Sequence, residues 1–175
     1  MNGEVIILTG PPASGKTTVA DLLASTASTP TVHLTTDQFY RAIKTGFIPP
    51  YLPESQQQNE VVVDAIVATV STFSRGGYDV VVDGIVGPWF LPPFRKALEN
   101  LSYVVLRPSL PTTLARAKER VGDELKDVDA ITGLHGAFAD LGDFEPHAID
   151  TGHLDAEQTA AEVRCLLAAG DHRLD

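Results

Sequence analysis

The sequence predicts a parallel α/β fold, and three observations carry that expectation. Short β-branched apolar runs alternate with longer stretches of helical periodicity. Three of the runs, Val5–Leu8, Val80–Val82 and Val104–Leu106, are apolar without interruption, as strands covered on both faces must be. The first of them leads at once into a glycine-bounded turn and then a helical pattern.

The other elements follow in chain order. A helix is expected over Gly15–Ser25, with Val19, Leu22 and Leu23 on one face. Thr31–Thr35 is a weaker strand candidate. The proline-rich piece Ile48–Pro53 suits neither helix nor central strand and reads as an ordered loop. A long helix over Glu54–Ser74 is closed by Gly76-Gly77, where a positive φ costs glycine least. Helices over Pro92–Glu99 and Pro111–Arg120 flank the third apolar run, and Pro111 suits a first helical turn. Ala148–Asp150 is the last strand candidate. Asp155 with Gln158 three residues later reads as a capping box for a helix over Ala156–Ala169. Internal repeats and low-complexity segments are absent from the sequence.

Composition bounds the function. With 175 residues, 43% of them hydrophobic, the chain predicts a single domain over residues 1–175. A formal net charge of −10 repels a phosphate backbone, so no nucleic-acid partner is expected. The single cysteine, Cys165, excludes an intrachain disulfide framework and reads as a buried thiol in a reducing compartment. No stretch approaches the ~18 to 20 apolar residues that span a bilayer. The expectation is a cytoplasmic protein without a membrane partner, as a monomer or a homodimer.

Gly10-Pro11-Pro12-Ala13-Ser14-Gly15-Lys16-Thr17 matches the phosphate-loop pattern G-x-x-x-x-G-K-[ST] at every fixed position. Such a match arises by chance in roughly one chain of this length in a hundred, and its place between strand and helix sharpens it. Glycine lets successive N–H groups converge on a phosphate, and the following helix N-terminus adds partial positive charge. Gly10, Pro12, Ala13, Ser14, Gly15 and Thr18 are therefore expected around the phosphates of ATP. Lys16 would reach the β- and γ-phosphates, and the Thr17 hydroxyl would ligate Mg2+.

Two carboxylates extend this site. Asp83, at the carboxyl end of Val80–Val82, has the placement of a second magnesium support; the competing reading is a strand-end residue turning the chain with Gly84. Asp37 follows the second strand candidate and would face the space beyond the γ-phosphate, where it could take or align the proton of an attacking hydroxyl. Helix capping is the structural alternative. Arg116 and Arg120, one helical turn apart, would share an anion or sit on a solvated face. The polar stretch after them suggests a short lid at about residues 120–128 that excludes water.

This ordered series resembles the small P-loop kinases grouped around chloramphenicol phosphotransferase and the zeta-toxin kinases, with shikimate and gluconate kinases as more distant relatives. It runs from Gly10–Thr17 to Asp37, Asp83-Gly84, Arg116 with Arg120, and Asp150-Thr151. The resemblance implies a three-layer P-loop fold, a five-stranded parallel sheet in the order 2-3-1-4-5 flanked by helices, and ATP-dependent phosphorylation of a hydroxyl. It implies Asp37 as base, Arg116 and Arg120 as lid arginines, and Asp150 and Thr151 near the adenine. Phe39 stands where a second aspartate would follow Asp37, and Asp83–Gly87 only partly matches the glycine-rich substrate motif of shikimate kinases.

The acceptor is expected among Asp37, Tyr40, Arg41, Tyr51, Asp83 and Trp89, with Phe39, Phe47, Phe90 and Arg95 nearby. Aromatics with a few polar groups suit a modest organic molecule. The five histidines lack metal-ligand spacing and receive no catalytic role; His135, near the lid, is the one worth testing. The leading reading is a small-molecule kinase acting on an antibiotic or metabolite. The alternatives are an ATPase or switch without an acceptor, or a toxin-like kinase of a nucleotide sugar.

Overall fold

In a computed structural model, which describes residues 1–119 and 125–174, the uninterrupted apolar runs form the inner strands of one sheet. Strand β1 is Val5–Thr9 and leads through the phosphate loop to helix α1, Lys16–Ser25. Strand β2, Thr31–Thr35, passes directly into the short helix α2, Thr36–Arg41. A loop and a 3-10 turn at Pro53–Ser55 precede α3, Gln56–Arg75. Strand β3, Asp79–Asp83, is followed by a 3-10 turn at Pro88–Phe90 and α4, Leu91–Ala97. Then come β4, Leu101–Leu106, α5, Leu110–Glu119, and α6, Val128–Ala137. A 3-10 stretch, Gly142–His147, leads to β5, Ala148–Ile149, α7, Ala156–Ala169, and β6, Arg173–Leu174.

The parallel strands lie in the order β2-β3-β1-β4-β5, as the sequence resemblance implies. A sixth strand was not expected: β6 pairs antiparallel with the first half of β4, Leu101 with Leu174. Side-chain alternation explains why the inner strands read as continuous apolar runs. Val5, Ile7, Val80, Val82, Leu101, Tyr103 and Val105 enter the core shared with α3 and α4. Leu8, Val81, Val104 and Leu106 point to the opposite face, into the core shared with α1 and α7. Both faces are covered, so no position of these strands can be polar without a partner. Tyr103 meets that condition: it is fully buried and its hydroxyl donates to the Val86 carbonyl at 2.8 Å. Burial pushes its phenol well above the ordinary range.

Local chemistry sets the helix ends. The Asp155 carboxylate accepts from the Gln158 N–H and the Gln158 side chain from the Asp155 N–H, the capping box expected at α7. Two helices escaped the sequence reading. Helix α2 has only six residues. Helix α6 contains Gly133 and Gly136, poor helix formers, and depends on the Asp127 side chain capping the Ala130 N–H at 2.7 Å. Cys165 is exposed rather than buried. Helix α7 buries a stripe through Thr159, Ala160 and Val163, and Cys165, two residues past Val163, turns away from it.

Two close approaches position the upper edge of the sheet. A Cβ on Gly10 would lie 2.2 Å from the Leu106 carbonyl oxygen, and one on Gly84 would lie 1.9 Å from Thr36 Oγ1. The phosphate loop thus rests on the end of β4, and α2 rests on the turn after β3. Because Thr36 is buried and all its side-chain atoms lie close to that Cβ, Gly84→Ala should destabilise the protein by about 1–3 kcal/mol through overpacking. Thermal denaturation reads this directly; an unchanged melting temperature would mean that α2 moves aside freely.

Candidate active site

The loop joining β1 to α1 wraps tightly. Ala13 takes a left-handed φ of +59° and Gly15, at the helix N-cap, takes +86°. A left-handed alanine costs about 1–2 kcal/mol, and packing holds it there: Ala13 is buried with Ala117 of α5 and Ile131 of α6. Helix α1 has no capping side chain and no acid in its first turn. Its first N–H groups therefore lack helical partners at the mouth of the loop, as an anion site requires. Lys16 is buried and folds back, its ammonium donating to the Pro11 carbonyl at 3.1 Å. Pro12 and Ser14 are buried in the turn, while Thr17 and Thr18 are exposed at its exit.

The Thr17 hydroxyl donates to Asp83 Oδ1 at 2.9 Å, joining α1 to the end of β3. Asp83 is only 1% exposed. Its second oxygen accepts from Thr35 Oγ1 at 3.1 Å and bonds His33 Nε2 at 2.5 Å. Both partners sit on β2, whose register sets Thr35 beside Asp83. His33 is thus a site residue that the sequence reading passed over. The available signal was its spacing: His33 and Thr35 are two apart on a strand, hence on one face, next to a strand that ends in a carboxylate.

Asp37 is the second residue of α2 and is exposed. It does not cap the helix, because Thr35 holds the N-cap position. Tyr40, one turn on, donates its phenol to Asn59 Oδ1 of α3 at 3.1 Å. Its pKa is pushed up to about 12, by burial first and then by the negative charge of Asp37. Tyr40 therefore stays protonated at any physiological pH and serves as a donor. Asn59 lines a cavity of about 640 Å³, walled on one side by α3 and on the other by Trp89, Phe90 and Pro93. Trp89 is half exposed there. Arg41 and Tyr51 are also exposed, but neither lines this cavity.

On the other flank, Arg116 of α5 donates to the Thr151 carbonyl at 3.4 Å, which brings it beside Asp150-Thr151. The Asp150 carboxylate accepts from the Gly152 N–H at 2.9 Å. Arg120 and residues 121–124 of the expected lid lie outside the described residues. His135 bonds the Pro108 carbonyl through Nε2 at 2.9 Å and so ties α6 to the loop after β4. Among the described residues no three metal-ligating side chains cluster, and no helix is long and apolar enough to cross a membrane.

The sequence reading also passed over Arg107, at the end of β4. Its guanidinium grips Glu145 with both terminal nitrogens, at 2.9 and 2.8 Å, and donates to the Phe138 carbonyl at 3.0 Å. That bidentate pair fixes the segment between α6 and β5 against the sheet edge.

With this geometry in hand, comparison with known proteins is informative. Residues 3–168 match the family model described as chloramphenicol phosphotransferase-like protein. The chain belongs to that family. A search of curated protein sequences gives no match. Among solved structures, a sugar kinase from Janibacter sp. HTCC2649 superposes with a TM-score of 0.71 at 15% identity, covering 95% of each chain. The Deinococcus radiodurans tunicamycin resistance protein gives 0.71 at 15% identity over 99% of each chain. A gluconokinase from Sinorhizobium meliloti 1021 gives 0.68 at 19% identity over 98% of each. These likenesses are likenesses of fold. Family and fold together make this family member a P-loop kinase-type protein.

The Arg107–Glu145 pair has a pH signature. The Arg107 hydrogen bonds, and then the Leu141 N–H, hold the Glu145 carboxyl down at about 2. A depressed carboxyl stabilises the fold above its unfolded pKa and loses that contribution as pH falls to the folded one. The stability difference between wild type and Glu145→Gln should therefore be constant from neutral pH down to about 4.5 and shrink between there and about 2. Denaturant titrations at several pH values check this; a difference that fades between pH ~7 and ~5 would refute it.

Proposed function

We propose that this protein transfers the γ-phosphate of ATP to a hydroxyl of a small organic acceptor. The Thr17–Asp83 hydrogen bond at 2.9 Å carries the reading. It sets a phosphate loop and a buried carboxylate on one sheet edge, from which the acceptor side opens. The loop fits the donor: its left-handed turn, uncapped helix and buried lysine together supply N–H groups and one cation to a polyphosphate.

In this reading residues 1–175 act as one kinase-like domain. The N–H groups of Ala13 to Thr18, with Gly10 allowing the close turn, bind the phosphates, and Lys16 leaves the Pro11 carbonyl for a phosphate oxygen. Thr17 and Asp83 would hold the magnesium ion. Magnesium, when bound, neutralises charge on the phosphate oxygens. The Asp83 carboxylate is engaged by Thr17, His33 and Thr35, so in this reading it would act on the metal and on the acceptor side by orienting the Thr17 hydroxyl and the end of β2. Asp150 and Thr151 border the adenine, and Arg116, beside them, offsets charge on the transferring group.

The cavity beside α3 receives the acceptor, with Trp89 on its wall and Tyr40 held to its edge through Asn59. Asp37 takes the proton of the attacking hydroxyl. That oxygen bonds to the γ-phosphorus, the bond to the bridging oxygen breaks, and ADP leaves with the electron pair. Arg41 and Tyr51, exposed on the same flank, close around the acceptor from outside.

Two variants separate donor binding from chemistry. Lys16→Ala should abolish the thermal stabilisation given by ATP with magnesium, and an unchanged shift would discredit the phosphate-loop assignment. Asp37→Asn should keep that stabilisation while reducing transfer by a factor of ~10² to 10⁴. Wild-type turnover in the Asp37 variant would move the base elsewhere.

A further inference from the structure

The cavity walled by α3 and Trp89 has a charge character that bears on its occupant. Its volume of about 640 Å³ falls within the ~300–1,000 Å³ range of small-molecule sites. Along α3, Gln56, Glu60 and Asp64 line it as one stripe, spaced i, i+4, i+8. Two of these three are carboxylates. No lysine, arginine or histidine is among the lining residues. Gln56 Nε2 donates to Glu60 Oε1 at 3.1 Å.

The opposite wall is apolar and aromatic. Trp89 is 50% exposed, an uncommon degree for so large a ring. It is nonetheless held in place, with ring centroids 6.0 Å from Phe138 and 6.2 Å from Phe90. The face of an indole is the strongest side-chain partner for an organic cation. Like charges at i, i+4 mildly destabilise a helix. A cation between the two walls relieves that repulsion and meets the indole at once. An anion meets the two carboxylates, while the amide donors of Gln56 and Asn59 already serve Glu60 Oε1 and the Pro50 carbonyl.

We propose that this cavity binds a hydroxylated amine with an apolar body, its ammonium between Glu60, Asp64 and Trp89, and that it rejects carboxylate-bearing acceptors. This rests on the phosphotransferase reading above for the fate of the hydroxyl, but not for the binding itself. Sugar acids and other hydroxy acids carry the wrong charge for this cavity.

Trp89 is the chain's single tryptophan, so its emission reports on this cavity alone. Three probes share one ring and one hydroxyl and differ in charge: 2-amino-1-phenylethanol, its N-acetyl derivative, and mandelate. The intact protein is titrated with each at low and high salt, without nucleotide. The expected result is saturable change in Trp89 emission with the amine, about tenfold weaker binding of the neutral amide, and none of mandelate. The amine's affinity should fall as salt rises. It should also fall about tenfold or more in Glu60→Gln/Asp64→Asn, with the melting temperature retained because both side chains are exposed. Mandelate binding as well as the amine, an amine affinity unchanged in the double variant, or no emission change with the amine would each overturn the proposal. ATP consumption is assayed separately with hydroxylated compounds. Failure of every compound to stimulate it would remove the phosphotransferase reading alone, since the emission change does not depend on transfer.

Discussion

Asp83 is a carboxylate withdrawn from water at the end of an internal strand, and much of the upper sheet edge is arranged around satisfying it. Burying such a charge without partners costs several kcal/mol. Thr17, His33 and Thr35 meet it from two different elements, and hydrogen bonds to a charged group contribute about 1.5–3 kcal/mol each. The consequence is geometric as much as energetic. His33 and Thr35 reach one carboxylate only because they lie on the same face of β2, so a one-residue slip of that strand would turn both away. The same bonds therefore hold the register of β2, the start of α2 and Asp37 upon it, and the seat of α1. Aiming the phosphate loop is the last link in that chain.

The parts of the fold that were legible are those where burial leaves a periodic mark. Strands β1, β3 and β4 are covered on both faces and read as unbroken apolar runs; α7 carries its own capping box. What escaped lacked such a mark. Helix α2 is too short for a period, and β6 has two residues whose pairing with β4 depends on long-range contact. Helix α6 carries two glycines and is held by the Asp127 cap and by Ile131 clustering with Ala13 and Ala117, and propensity cannot reveal the second of these. Cys165 was misjudged because an apolar neighbourhood in sequence is not an apolar neighbourhood on a helix face.

The candidate site was legible in proportion to how far it is built from backbone. The phosphate loop announces itself because few residue types tolerate its turns: the spacing of Gly10 and Gly15 is a record of those dihedrals, and Lys16 and Thr17 at the helix start record the chemistry. Asp83 announces itself by interrupting an apolar run. His33 and Arg107 do not. Each acts through a partner distant in sequence, Asp83 for one and Glu145 for the other, and a lone basic residue carries no sign of which carboxylate it will meet. The pairing of Tyr40 with Asn59, 19 residues on, is hidden for the same reason.

The two ends of the site thus differ in what a substitution can do to them. At the phosphate end, Gly10 lies against the Leu106 carbonyl and Gly84 against Thr36, so even one added carbon displaces a structural element. Across the cavity, Glu60 and Asp64 are exposed, and Trp89 is half exposed. The charges of Glu60 and Asp64 enter the energy of the folded chain only weakly. The fold therefore constrains how a phosphate is held far more than what stands opposite it. On the proposed reading, the nature of the acceptor is a matter for the lining of the cavity and not for the likeness of one P-loop kinase to another, because a sheet order shared at 15% identity says nothing about a carboxylate at position 60.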